Sequence, residues 1–208
     1  MYESHPRIRK KNESHFSAKV WPIKLLKTSD IMSEEVIEAV LEGKEVIVPL
    51  HKDAELLYQG GYGNLREKEQ GSTLGSCEAL YLVAEKRLHV VDSKDSKELN
   101  FTALFDKLRS VDAETWTRYL IYRDLRSRGY VVRDGFGFGI DFRLYERGKY
   151  GEQAAKYIVF GIREGNPIPI SKLDEVLHFI QSIKKELILA VVDRRGEIVY
   201  YSLSKLTF

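Results

Sequence analysis

The stretch from Trp116 to Tyr145 constrains this chain more than any other, because its hydrophobic period changes within thirty residues. Its central part reads TRYLIYRDLRSRGYVVRDGFGFGIDFRLY. Trp116, Tyr119, Leu120 and Arg123 recur at three- and four-residue spacings, which predicts a helix, with Asp112 placed to cap its start. Gly129 supplies the left-handed residue that ends many helices. A short strand over Tyr130–Arg133 follows, then a glycine-rich turn and a second strand. There Ile140, Phe142 and Leu144 alternate with Asp141, Arg143 and Tyr145, so one face is apolar and the other polar. Tyr145 is thereby placed on the polar face of a half-buried strand, where a phenol can meet solvent or another molecule.

With 208 residues the chain is long enough for two modest domains or one large one. Charge is uneven along it. Residues 1–30 hold seven Lys/Arg against three acids, a balance of +4, so the remaining 178 carry −2 of the total of +2. A basic arm on a near-neutral body suits a polyanionic partner as well as it suits a solvated terminus. Cys77 is the only cysteine, which excludes an internal disulfide and a thiolate metal site. No apolar run approaches the ~20 residues of a membrane helix, and the first 30 residues lack a signal-peptide core. The chain reads as cytoplasmic.

Taken in order, Ser33 is placed to cap a helix carrying Val36, Ile37, Val40 and Leu41, which Gly43 closes. Glu45–Pro49 reads as a strand and Asp53–Tyr58 as a short helix. A glycine-punctuated segment, Gln59–Gly75, contains the charged loop Arg66-Glu67-Lys68-Glu69. Glu78–Glu85 reads as helix, Leu88–Val91 as strand, Asp92–Glu98 as a turn, and Phe101, Leu104, Phe105 and Leu108 mark a further helix. The small polar residues at 109–113 suggest a boundary between a domain over 31–111 and another over 112–208. In the second half, Ala155–Ile162 reads as a strand, and Ser171 is placed to cap a helix with the stripe Leu173, Val176, Leu177, Ile180 and Ile183. His178 and Lys185 fall away from that stripe. Leu187–Val192 is a buried strand and Glu197–Leu203 a returning one. The fold class expected is α/β (α+β): a small mixed N-terminal domain, then a compact α/β domain whose mixed sheet is flanked by helices.

Several chemistries are disfavoured. Gly135, Gly137 and Gly139 mimic a dinucleotide fingerprint, but a strand follows where the pyrophosphate needs a helix. His5, His15, His51, His89 and His178 show no metal-ligand spacing. Asp92-Ser93-Lys94 and Asp95-Ser96-Lys97 imitate half of a metal-dependent nuclease motif but read as solvated turn. No nucleophile elbow is present. Tyr145 and Lys185 remain, and alone they prove nothing.

The segments YRDLRSRGYVVRDGFGFGIDFRLYERG (Tyr122–Gly148), AKYIVFGI (Ala155–Ile162) and SIKKELILAVVDRRGEIVYYSLS (Ser182–Ser204) resemble, in order and spacing, the archaeal tRNA-splicing endonucleases. GGYGN around Tyr62 and CEALYLV around Ala79 look like that family's N-terminal domain, so the likeness covers most of residues 35–208. The resemblance implies cleavage of precursor tRNA at bulge–helix–bulge junctions, with no metal or cofactor, to 2′,3′-cyclic phosphate and 5′-hydroxyl ends. It implies a Tyr, His, Lys triad. Tyr145 matches the base on the 2′-hydroxyl, and Lys185 the cation that stabilises transition-state charge. Ala154 stands at the position expected to be histidine, the acid on the leaving oxygen. Either the chain is a non-catalytic structural subunit, or Ala154 replaces the acid on purpose in an otherwise intact site. The persistence of Tyr145 and Lys185 argues for the second. His178 matches an RNA-gripping arginine, and Tyr200 an aromatic for base stacking. The loop Leu65–Gly71, with Lys68 or Arg66, resembles an RNA-contacting insertion of the crenarchaeal-type subunit. The family works as four units in which an acidic loop of one plugs a basic cleft of others. Here the matching loop, Arg163-Glu164-Gly165-Asn166-Pro167, has one acid. A homologous acidic-loop partner in a heterotetramer with two copies of each is therefore expected, with strand Ile198–Leu203 as a pairing surface.

Overall fold

The structure, a computed structural model, describes residues 16–20, 36–66, 71–137 and 139–205. Among the described residues, two mixed sheets and five helices make up an α/β architecture, as the sequence patterns predict. The N-terminal sheet contains β2 (Ile37–Glu42), β3 (Glu45–Val48), β4 (Asn64–Arg66), β5 (Gly71–Leu74) and β6 (Leu88–Asp92) in the order β4-β5-β3-β2-β6. With it go α1 (His51–Gln59), α2 (Ser76–Ala84) and α3 (Phe101–Arg109).

The helix expected from Val36 to Leu41 is the strand β2. Ile37, Ala39 and Leu41 are buried in alternation, and β2 pairs with β3 on one side and in parallel with β6 on the other. Ser33, its expected cap, lies outside the described residues. Gly43, at φ +60°, turns the β2–β3 hairpin rather than ending a helix. Asp92 is likewise not solvated: it is buried at the end of β6, where Lys107 Nζ meets its carboxylate at 2.7 Å.

The C-terminal sheet is β1-β11-β10-β9-β8-β7, with β7 (Val131–Gly137), β8 (Ile140–Tyr145), β9 (Tyr157–Arg163), β10 (Glu186–Val192) and β11 (Ile198–Lys205). Its first strand, β1 (Phe16–Val20), comes from the basic N-terminal arm and pairs antiparallel with β11. Among the described strands β11 is therefore paired along both edges, and the edge expected to recruit a partner is filled from within the chain. β9 and β10 run parallel, joined by α5 (Ile170–Ser182), and the remaining pairs are antiparallel. β10 is apolar on both faces for a reason. Ile188, Ala190 and Val192 join the core under α4 (Thr115–Ser127), while Leu187 and Leu189 join the core under α5.

α4 ends as its glycine predicts. Gly129 sits at φ +88°, its amide donates to Arg126 O, and the Tyr130 amide donates to Leu125 O, closing a Schellman motif. Two start signals act differently from expectation. The Asp112 carboxylate accepts the Glu114 amide in a turn just ahead of α4 and pairs with Arg118, leaving the helix without a side-chain cap. α5 begins directly after Pro169, an N-cap with no side-chain acceptor, and Ser171 lies inside the helix, exposed.

The two sheets are joined through a buried clamp. The Arg133 guanidinium donates to Glu78 Oε1 (2.9 Å), Gly61 O (3.4 Å), Gly63 O (2.7 Å) and the Asn64 side chain. Glu78 Oε2 accepts the amides of Gly63 and Gly75 at 3.0 and 2.9 Å. Burial pushes the Glu78 carboxyl up, with Arg133 and the two amides pulling against it. Beside the clamp Arg126 lies 3.7 Å over the Tyr62 ring. Gly61, at φ +75°, touches Val131 so closely that a Cβ would stand 2.2 Å from its Cγ1. The glycine is required for that contact.

Candidate active site

Three strand ends meet at one edge of the C-terminal sheet, and the site is built from them. β8 finishes at Tyr145, β9 opens at Tyr157 and β10 opens at Glu186. Leu144 pairs with Tyr157 and Tyr157 with Glu186. The ladder runs on past these pairs: the Lys156 amide donates to Leu144 O at 3.1 Å and the Glu186 amide to Lys156 O at 3.2 Å. Tyr145, Lys156 and Lys185 thus stand at adjoining strand ends, and Ala154 lies two residues before Lys156. Tyr145 and Lys185 are half-buried and Ala154 is exposed. The structure brings together all three positions that the resemblance singles out.

Local chemistry places each one. Ile140, Phe142 and Leu144 are buried at 7%, 0% and 0% exposure, which leaves Tyr145 on the other side of β8 as the alternation predicts. Lys185 is set by the end of α5. Lys184 takes φ +56°, its amide donates to Gln181 O, and the Lys185 amide donates to Ile180 O. This is a Schellman ending built on a lysine, a left-handed conformation that costs a non-glycine residue ~1–2 kcal/mol. It turns the chain directly from helix into β10. Ala154 is held out by its neighbour, since Ala155 is buried.

The surroundings are basic. Arg147, Lys149, Lys156, Lys184 and Lys185 face Glu146, Glu152 and Glu186 along these segments, five cations against three carboxylates. Lys156 lies between Glu146 (3.7 Å) and Glu186 (3.8 Å) and over the Tyr157 ring at 4.8 Å. The Tyr157 phenol, and then those carboxylates, hold its ammonium above the usual range. The Tyr145 ring meets Tyr150 edge-on, 5.1 Å between centroids. A phenol and two lysines carried on adjoining strand ends are the kinds of group that proton transfer next to an anion uses.

The other expected contacts are divided. His178 is exposed on α5, its Nε2 3.6 Å from Asp174 Oδ1. Arg66 ends β4, half-buried, and Lys68 lies outside the described residues. Tyr200 is placed in the core at 2% exposure. Its hydroxyl donates to Asp124 Oδ2 at 2.7 Å, and Arg128 covers its ring at 5.7 Å, so it offers no stacking face in this structure. The loop Arg163–Pro167 leaves the opposite end of β9, and its one acid, Glu164, accepts the Arg194 amide at 3.3 Å. Among the described residues no three His, Cys, Asp or Glu side chains gather as a metal site, and no helix is long and apolar enough to cross a membrane. Tyr150 and Lys156 went unnoticed in the sequence, where a tyrosine in a glycine-rich loop and a lysine ahead of a strand carry no distinguishing mark.

Residues 115–200 match the family model of the tRNA intron endonuclease catalytic C-terminal domain, and residues 37–105 that of its N-terminal domain. The chain belongs to the tRNA intron endonuclease family. Among curated relatives, a tRNA-splicing endonuclease of Methanococcus maripaludis is 37% identical over 173 residues, 83% of this chain and 96% of the relative. One of Pyrococcus abyssi is 29% identical over 176 residues, 84% of this chain and 99% of the relative. One of Methanosarcina acetivorans is 32% identical over 164 residues, 78% of this chain but 45% of that longer protein. The region matched by the C-terminal family model contains Tyr145, Ala154 and Lys185.

Proposed function

We propose that this chain is a subunit of a tRNA-splicing endonuclease that cuts precursor tRNA at bulge–helix–bulge exon–intron junctions. The observation that carries the reading is the meeting of Tyr145, position 154 and Lys185 at adjoining strand ends. Tyr145, as its phenolate, takes the proton of the 2′-hydroxyl, whose oxygen then attacks the neighbouring phosphorus. Lys185, which makes no ion pair among the described residues, stabilises the added charge on the phosphoryl oxygens. The bond to the 5′-oxygen breaks, leaving a 2′,3′-cyclic phosphate and, once that oxygen is protonated, a 5′-hydroxyl. Phenolate, ammonium and an acid at position 154 supply every proton and charge in this scheme, so it calls on neither metal nor cofactor. In this chain Ala154 has no proton to give.

RNA is held by the basic sheet edge, by His178, and by Lys68 or Arg66 in the charged loop of the crenarchaeal type. Tyr200 is left out of that set. The partner is a homologous subunit with a more acidic loop, two copies of each forming a heterotetramer in the cytoplasm. The engagement of Glu164 by Arg194 supports that need, since the one acid of this chain's own loop already has an intramolecular partner. The exposed Ala154 keeps a second reading in play, in which the chain is a non-catalytic assembly subunit.

Cleavage of a bulged precursor RNA, with and without an acidic-loop partner, tests the choice. The chain should bind the RNA and cut it very slowly, because general acid catalysis is worth about 10²–10⁴-fold. Ala154→His should restore cyclic-phosphate products, and Tyr145→Phe in that background should abolish them. Intact binding and assembly with no cleavage by Ala154→His leaves the assembly-subunit reading.

A further inference from the structure

The loop that leaves Tyr145 turns a single side chain inward. Residues 146–149 and 151–154 are exposed, and Tyr150 between them is half-buried. It is the only aromatic residue of that loop, and three groups from different parts of the chain surround it. The Tyr145 ring meets it at 5.1 Å with planes at 90°. The Tyr58 ring, from the end of α1, meets it at 6.1 Å and 66°. Arg133 stands over it with its guanidinium carbon 5.9 Å from the ring centroid.

These groups differ in how firmly they are held. Arg133 is 5% exposed and fixed by donors to Glu78, Gly61 O, Gly63 O and Asn64. Tyr58 rides on a helix of the N-terminal unit that is followed by Gly61, Gly63 and Asn64, the residues Arg133 grips. Tyr145 is the last residue of its strand, with no further ladder to fix its side chain. Edge-to-face ring contacts and a cation over a ring face set mutual orientation rather than simple proximity.

We infer that Tyr150 is a positioning residue for Tyr145: a ring strut that carries the rigidity of the Arg133 clamp and of Tyr58 to the phenol at the strand end. The inference rests on the role proposed for Tyr145. It gives the N-terminal unit a part in the reaction, because both supports of the strut, Tyr58 and Arg133, arise from it or are locked to it. Orientation matters here on a short scale, since a displacement of about 1 Å at a reacting group can cost roughly 10²-fold in rate.

The test has a structural arm and a kinetic arm, both on the full chain. With ¹³C-labelled tyrosine rings, the Tyr145 signals are identified by their loss in Tyr145→Phe. Tyr150→Leu should move and broaden them, Tyr150→Phe should leave them near their original positions, and Tyr58→Leu should move them less than Tyr150→Leu does. In the Ala154→His background, Tyr150→Leu should lower the maximal single-turnover rate about 10–100-fold. The RNA concentration giving half that rate should stay unchanged, and Tyr150→Phe should keep the parent rate. Tyr145 signals that ignore Tyr150→Leu overturn the inference whatever the chain cleaves. So does a change confined to RNA affinity, which makes Tyr150 an RNA contact. If the signals move but Ala154→His never cleaves, the strut stands and the proposed reaction falls.

Discussion

The clamp between the two sheets and the edge where the strand ends meet both draw on the C-terminal sheet and are built in opposite ways. At the clamp, Arg133 and Glu78 have side chains 6% and 5% exposed, and both are hydrogen-bonded to each other and to backbone. At the edge, Tyr145 and Lys185 are half-buried, Ala154 is open, and cations outnumber carboxylates. The chain uses its internal hydrogen bonds where geometry must not change and withholds them where another molecule has to supply the partner. Stability and function should therefore separate cleanly under mutation.

The largest effect is expected at the clamp. Arg133→Ala leaves Glu78 Oε1 and the carbonyls of Gly61 and Gly63 without the Arg133 donor and strands a buried carboxylate without its cation, and should cost about 3–5 kcal/mol in urea unfolding. A plain buried ion pair is often recovered by replacing both partners with apolar residues. This one should resist. In Arg133→Met/Glu78→Leu the amides of Gly63 and Gly75 are also stripped, at about 1–3 kcal/mol for each buried group left unmade. A double variant within about 1 kcal/mol of the parent would reduce the clamp to its ion pair. Tyr145→Phe and Lys185→Ala should each move the unfolding free energy by no more than about 0.5 kcal/mol.

The same contrast explains what could be read from sequence. The helix–glycine–strand passage around Gly129 is local: hydrophobic period, left-handed glycine and strand alternation all lie within thirty residues, and they fold as expected except that the strand read as ending at Arg133 runs on to Gly137. The segment Ile37–Glu42 holds two periods at once, with residues 36, 37, 40 and 41 helical in spacing and residues 37, 39 and 41 alternating. Pairing with β6, some fifty residues away, settles it as strand, and no local rule contains that partner. The clamp joins position 78 to position 133 and is equally non-local. At the site, Tyr145 and Lys185 were legible through a family resemblance, not through spacing. Tyr150 needs the folded loop to be seen at all.

Tyr200 tests which side of the contrast a residue belongs to. The family resemblance suggested a ring open to RNA, but β11 lies between β1 and β10, and α4 brings Asp124 to its hydroxyl. Burial, and then the Asp124 carboxylate, push the phenol far above its usual range, so it remains a donor. Tyr200→Phe removes one hydrogen bond to a carboxylate that keeps Arg128 as a partner at 2.7 Å. It should cost about 1–2 kcal/mol and leave the affinity for bulged RNA unchanged. Weaker RNA binding at unaltered stability would move Tyr200 from the core to the RNA surface.

The smallest effect sharpens the comparison at the far edge of the N-terminal sheet, where an ion pair is exposed rather than buried. His89 Nδ1 lies 2.6 Å from Glu38 Oε2 across the parallel β2–β6 pair, and its Nε2 lies 3.5 Å from Glu98 Oε1. The hydrogen bond with Glu38 comes first among the causes that raise this imidazole above its ordinary value of 6.5. A histidine raised in the folded state stabilises fully below its unfolded value, and that contribution fades as pH climbs through the folded one. The parent should therefore lose a little stability between about pH 6 and pH 8.5 that His89→Gln does not lose. Solvent screening at the surface holds the difference to roughly 0.2–1 kcal/mol, an order below the clamp. Urea midpoints at the two pH values measure it directly. If parent and His89→Gln show the same change between them, the pair contributes nothing, and the contrast between buried and exposed ion pairs in this chain is steeper still.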